Sequence, residues 1–150
     1  MRAVLWVQRL RLRLWLRKPS RRRGPNVVTY RTPGDPGPRV ELLWFADCPN
    51  HESARRLLAD VLAELAPGVV VEDVDATDPA VARQRRFPGS PTIRVDGCDV
   101  DPSFRDPGDY TPRCRLYWTA GRLAGVPERH WIEAAIRDAV ERRGQERLPD

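Results

Sequence analysis

The sequence predicts an α/β fold, on three observations. An aliphatic, β-branched and aromatic run, Val40–Phe45, is followed by helix-spaced apolar residues and then by a second β-branched run, Val69–Val74. A helix crossing between two strands makes them parallel. Further along, a third run, Pro91–Val95, and a closing amphipathic pattern over Trp131–Val140 extend the alternation to β-α-β-α-β-β-α.

Each element has its own local signal. Val40–Phe45 lacks a polar–apolar alternation, so it reads as a strand buried on both faces. Pro49 suits a first helical position, where a missing N–H costs nothing. Ala54, Leu57, Leu58, Val61, Leu62 and Leu65 then repeat at i, i+3, i+4 and i+7, and Pro67-Gly68 stops that helix. Asp78-Pro79 reads as an N-cap followed by a first-turn proline, opening a short helix through Ala80–Arg86. Phe87-Pro88-Gly89-Ser90 ends it, and Asp96-Gly97 is a turn signal after the third strand. Residues 98–112 hold three prolines and read as a long loop. Arg113–Trp118 alternates, with Cys114, Leu116 and Trp118 on one face and Arg113, Arg115 and Tyr117 on the other, and reads as the fourth strand. Pro127 opens the last helix, whose stripe is Trp131, Ile132, Ala135, Ile136, Ala139 and Val140, and Gly144 ends it.

At 150 residues the chain fits one domain with a core of its own. Residues 1–39 carry eleven Arg or Lys against the single Asp35, net +10, whereas the rest is net −5. The organisation is therefore a basic extension (1–39), a folded domain (40–143) and a polar tail (144–150). Within the extension, Leu10, Leu12, Leu14 and Leu16 alternate with arginines, a period of two that gathers no apolar helix face for a membrane surface. The basic arm offers non-specific contacts to nucleic acid at most, and reads otherwise as a solvated extension or an early start. No run approaches the roughly 18 apolar residues of a membrane span. The N-terminal apolar stretch is only Ala3–Val7, too short for a signal-peptide core. Three cysteines, Cys48, Cys98 and Cys114, are too few and odd in number for a secreted disulfide framework. A reducing cytoplasm is the expected compartment.

Chemistry concentrates at Cys48, placed where a central strand turns into a helix. Exposed N–H groups and the dipole at that helix end favour a thiolate, and a charge on His51 would add to this, while Asp47 opposes it. His51 has the spacing of an acid–base partner for Cys48. His130 has no evident partner. An antiparallel hairpin of the third and fourth strands would bring Cys98 and Cys114 together; Cys114 is the better candidate for a resolving thiol, through motion of the 98–112 loop. Only Cys48–His51 has ligand-like spacing, so no four-ligand zinc site assembles. The aspartates at 96, 99, 101, 106 and 109 lack the calcium-loop order and read as a solvated acidic loop. No Walker-type or dinucleotide glycine motif is present, and no cofactor is implied.

The order of elements, with a cysteine at the first helix and Ser90-Pro91-Thr92 entering the third strand, resembles the thioredoxin fold. The segments FADCPNH, FPGSPTIRVDG and RCRLYWTAGRLAGVP are similar to small actinobacterial thioredoxin-like proteins labelled thioredoxin family, alkylmercury lyase family, or a "DF" family with selenoprotein members. The resemblance covers residues 39–140 and implies a central four-stranded mixed sheet, with Cys98 and Cys114 toward the end of the hairpin away from Cys48. It also implies a cis Ser90–Pro91 bond beside the reactive cysteine, and an extended substrate docked along Ser90, Pro91 and Thr92. A dithiol oxidoreductase carries C-x-x-C, whereas this chain reads Cys48-Pro49-Asn50-His51. The function implied is thus a monothiol redox protein with Cys48 as nucleophile, acting on a protein or small-molecule disulfide or thiol. The alternatives are a non-catalytic thioredoxin-fold binding module and the handling of organomercurials or soft metals by thiols.

Overall fold

The computed structural model describes residues 37–146. Residues 1–36 and 147–150, the alternating Leu/Arg stretch included, lie outside the described residues. The described part is a mixed α/β structure of β1 (Val40–Trp44), α1 (His51–Leu65), β2 (Val71–Asp75), α2 (Pro79–Gln84), β3 (Thr92–Val95), β4 (Cys98–Asp99), β5 (Tyr117–Thr119), β6 (Arg122–Ala124) and α3 (Arg129–Gln145).

Four strands form a mixed sheet in the order β2-β1-β3-β4. β1 runs parallel to β2, from Val40↔Val71 to Trp44↔Asp75, as the crossover helix requires. β3 is antiparallel to β1, pairing Val40 with Val95 and Leu43 with Thr92. Asp96 and Gly97 both take positive φ, +50° and +81°, and turn β3 into β4. The strand expected at Arg113–Trp118 is not part of this sheet. Its place beside β3 goes to Cys98–Asp99, and the later residues split into a single bridge at Cys114 and a separate β5–β6 hairpin.

Helices cover both faces. Val40, Leu42, Ile93 and Val95 of the sheet pack with Ala54, Leu58, Val61 and Leu62 of α1 and with Ile132, Ile136 and Ala139 of α3. Leu43 and Val74 meet Ala82 of α2 and Phe87 on the other side. That second face also takes Glu41, buried on β1, whose carboxylate accepts from Arg39 (3.0 Å) and Arg85 (3.2 Å). Arg85 donates in turn to Glu72 at 2.6 Å. Arg39, assigned by charge to the extension, is thus tied to the sheet, and its N–H also donates to Asp96 at 2.9 Å.

Three helix boundaries differ from expectation. Pro49 lies in the turn ahead of α1, because the first i+4 bond is Ala54 N–H to the Asn50 carbonyl. Pro127 likewise precedes the N-cap Glu128. Gly144 does not end α3; with no left-handed φ there, the helix continues to Gln145. At α2 the expected cap is present, with Asp78 Oδ1 accepting from Ala80 N–H at 2.7 Å. Among the described residues no helix is long and apolar enough to cross a membrane.

Candidate functional site

Cys48 closes the turn after β1, its N–H donating to the Phe45 carbonyl at 3.0 Å. The residue is 4 % exposed, and its sulfur sits 3.4 Å from the Ser90 carbonyl oxygen. Ser90 is fully buried and joined to Pro91 by a cis bond. Both of its backbone groups are engaged within the chain: its N–H donates to the Arg113 carbonyl, and its carbonyl accepts from Arg115 N–H, each at 2.8 Å. Residues 113–115 therefore lie along the edge where an extended substrate was expected to pair. Thr92, also buried, donates to the Gly89 carbonyl at 2.7 Å, and the Pro91 carbonyl accepts from Tyr117 OH at 2.6 Å.

This pairing relocates Cys114. It bridges to Ser90, whereas Cys98 pairs with Val95, at the far end of the same segment. At about 3.3 Å per residue, the two positions are roughly 17 Å apart along it. The expected approach of Cys114 to Cys98, away from Cys48, is thereby reversed. Cys114 meets Cys48 instead, and its thiol is pushed above the ordinary cysteine value by burial, then by charge on Cys48 and a side-chain hydrogen bond with it. Cys114 remains an exposed residue, while Cys48 is buried.

The backbone under Cys114 is held by a buried ion pair that the sequence did not announce. Arg115 Nη1 and Nη2 donate to Asp99 Oδ2 and Oδ1 at 2.6 and 3.0 Å, in the planar two-point geometry suited to guanidinium and carboxylate. Nη1 also reaches Thr92 Oγ1 at 3.1 Å, and Asp101 lies 3.4 Å from Nη2. The guanidinium lies 4.4 Å from the centre of the Tyr117 ring and 5.0 Å from that of Phe104. Burial, the largest single effect, lowers the Arg115 pKa; the hydrogen bond to Asp99 and the charges on Tyr117, Asp99 and Asp101 together outweigh it, and the net shift is upward. With Arg115, Tyr117 and Thr119 turned inward, Leu116 and Trp118 face solvent, and Leu123 joins them across the hairpin. The alternation over 113–119 signalled two faces, but not that the arginine face is the buried one.

Gly89 fixes the approach of the two segments. Its φ is +138°, and a Cβ would meet Arg115 Cβ at 3.1 Å and the Arg113 carbonyl oxygen at 3.2 Å. Gly89→Ala is expected to cost about 1–3 kcal/mol through the strained backbone alone, read as a lower urea midpoint, and to loosen the 113–115 segment.

His51 does not hydrogen-bond the Cys48 sulfur. Its Nδ1 lies 3.2 Å from the Cys48 carbonyl oxygen, its Nε2 lies 2.9 Å from Glu52 Oε1, and its ring stacks on Trp44 with centroids 4.6 Å apart. Both ring nitrogens thus face oxygen atoms rather than the Cys48 sulfur. Trp44 Nε1 donates to Asp73, which pairs with Arg55, which reaches Glu52 at 3.4 Å; the ring of contacts holds His51 at the helix start. Asn50 packs so closely on Gly125 that a Cβ there would come within 2.2 Å of its Nδ2. His130 is exposed and lies 2.9 Å from Glu128.

The aspartates of the long loop are more engaged than a solvated loop requires. Besides Asp99 and Asp101, Asp106 pairs with Arg86 and accepts from Tyr110 OH at 3.0 Å. Asp109 accepts from the Thr111 N–H at 3.1 Å and hydroxyl at 2.8 Å, and from Arg113 at 2.5 Å. The Thr111 hydroxyl, with Arg113, holds the Asp109 pKa down at about 2. Because that value lies below the ordinary 3.8, the contribution of Asp109 is complete above 3.8 and disappears as the pH falls towards 2. The protection of the Thr111 amide against hydrogen exchange is expected to fall over that interval, with amides of β1 unaffected.

Among the described residues no group of three or more His, Cys, Asp or Glu is placed to hold a metal ion. A groove of about 560 Å³ between β4 and α3 is lined by Cys98, Val100, Trp131 and Ala135, and contains none of Cys48, His51, Pro91 or Cys114. No family model, no curated protein and no solved structure matches the chain.

Proposed function

We propose that the chain is a thiol-dependent redox protein of thioredoxin-like fold, and that its working pair is Cys48 and Cys114 rather than a single C-x-x-C motif. The observation that carries this reading is the meeting of both cysteines at Ser90, one through its sulfur and the other through its backbone bridge. In the reduced pair burial, then charge on Cys48 and a hydrogen bond with it, raise the Cys114 pKa. The start of α1 supplies positive potential beside Cys48. Reaction with a disulfide R–S–S–R′ yields two thiol products, and the protein's two sulfurs become the Cys48–Cys114 disulfide, so that two electrons pass to the substrate. The mixed sheet with α1 and α3 on one face and α2 on the other is compatible with this fold.

Stoichiometric reaction of reduced protein with 5,5′-dithiobis-(2-nitrobenzoate), in a Cys98→Ser background, tests the reading. Two coloured thiolates per chain and a Cys48–Cys114 linked peptide are expected. A folded protein in which neither cysteine reacts is a binding module instead. The same two thiols also suit a soft cation, since thiolates are the preferred ligands of such metals. That second reading, organomercurial or soft-metal handling, predicts one Hg²⁺ bound per chain and loss of binding in Cys114→Ser.

A further inference from the structure

We infer that Cys114, the exposed residue of the pair, is the one that joins covalently to the substrate, and that buried Cys48 acts second, as the resolving thiol. The inference rests on the dithiol reading and assigns the order within it.

Disulfide exchange requires the attacked sulfur, the attacking sulfur and the leaving sulfur to line up, so the first nucleophile must face open space. Cys48 fails this requirement. It is 4 % exposed, its sulfur lies against the Ser90 carbonyl, and residues 113–115 are hydrogen-bonded to Ser90 on both sides. A substrate could reach Cys48 only by displacing that segment, which Arg115 anchors through Asp99. Cys114 satisfies it. It is exposed, and it begins the outward face that continues through Leu116 and Trp118.

Cys114 gives its proton to water and reacts as the thiolate. Cys114 Sγ attacks one sulfur of R–S–S–R′. The substrate S–S bond breaks, R′–S⁻ leaves with the electron pair, and a Cys114–S–S–R mixed disulfide forms. Cys48 gives its proton to R′–S⁻ and attacks Cys114 Sγ; R–S⁻ departs and the Cys48–Cys114 bond closes. One proton goes to water and one leaves with R′–SH, and the substrate gains the two electrons that the pair loses. Cys48 thus serves first as proton donor to the leaving thiolate and then as nucleophile.

The test uses the full chain with Cys98→Ser, treated with oxidised glutathione and read by intact mass and peptide mapping. Cys48→Ser, and Cys48→Ala as a second variant should the buried hydroxyl unsettle folding, are expected to accumulate glutathione at Cys114. Cys114→Ser is expected to accept glutathione at Cys48 at least tenfold more slowly, except in denaturant, where the two rates converge. Equal or faster modification of Cys48 in the folded Cys114→Ser protein would overturn the order while leaving the dithiol reading intact. Failure of the parent protein to form the Cys48–Cys114 bond would instead overturn the reading on which the order rests.

Discussion

Replacing Asp99 with alanine is expected to lower the unfolding free energy by about 3–5 kcal/mol, the cost of removing one partner from a buried ion pair. The carboxylate of Asp99 is 3 % exposed and bonded to Arg115 at two points. Its loss strands a guanidinium that is itself only 9 % exposed, with Thr92 Oγ1 and the more distant Asp101 as its remaining oxygen neighbours. Adding Arg115→Leu is expected to restore a large part of the loss, since the pair as a whole is worth far less than either charge left alone. Urea unfolding of both single variants and the double variant measures this coupling. A loss below about 1 kcal/mol in Asp99→Ala, the value typical of a surface pair, would mean that water reaches Arg115. The consequence extends to the thiols: Arg115 N–H and the Arg113 carbonyl hold Cys114 to Ser90, so Asp99→Ala is expected to slow formation of the Cys48–Cys114 bond as well.

Oxidation itself is expected to stabilise the fold by about 4 kcal/mol, the chain-entropy value for closing a loop of several tens of residues. The bond links the N-terminal end of α1 to a segment beyond β4, and so spans both helices α1 and α2 and most of the sheet. Comparing the urea midpoints of oxidised and reduced protein measures the difference, and Cys114→Ser is expected to show none. An oxidised form no more stable than the reduced one would mean that the native geometry resists the bond.

Much of this architecture is legible in the residues themselves. Val40–Trp44, α1 and α3 announce themselves by long apolar patterns, and Cys48 and Pro91 stand out by their positions relative to the strands. What is not legible depends on partners distant in the chain. Cys98–Asp99 is too short to show a period, yet it takes the sheet edge, because a two-residue turn delivers it there. Arg113–Trp118 alternates as a strand does, but which face is buried is decided by Asp99, and an arginine facing inward looks improbable until that carboxylate is seen. The aspartates at 99 and 101 were the available signal: acidic residues two apart ahead of an alternating Arg-x-Tyr-x-Thr. Misplacing that one segment also misplaced Cys114: the sequence offered it as a resolving thiol through loop motion, whereas a backbone bridge already sets it beside Ser90.

Equilibration of the protein in thiol–disulfide buffers of graded potential decides whether Cys48 and Cys114 act as one redox unit. Intact mass and peptide mapping are expected to show a single two-electron transition, with Cys48 joined to Cys114 and Cys98 unchanged throughout. Separate adducts on Cys48 and Cys114 with no bond between them, or a bond involving Cys98, would contradict the account.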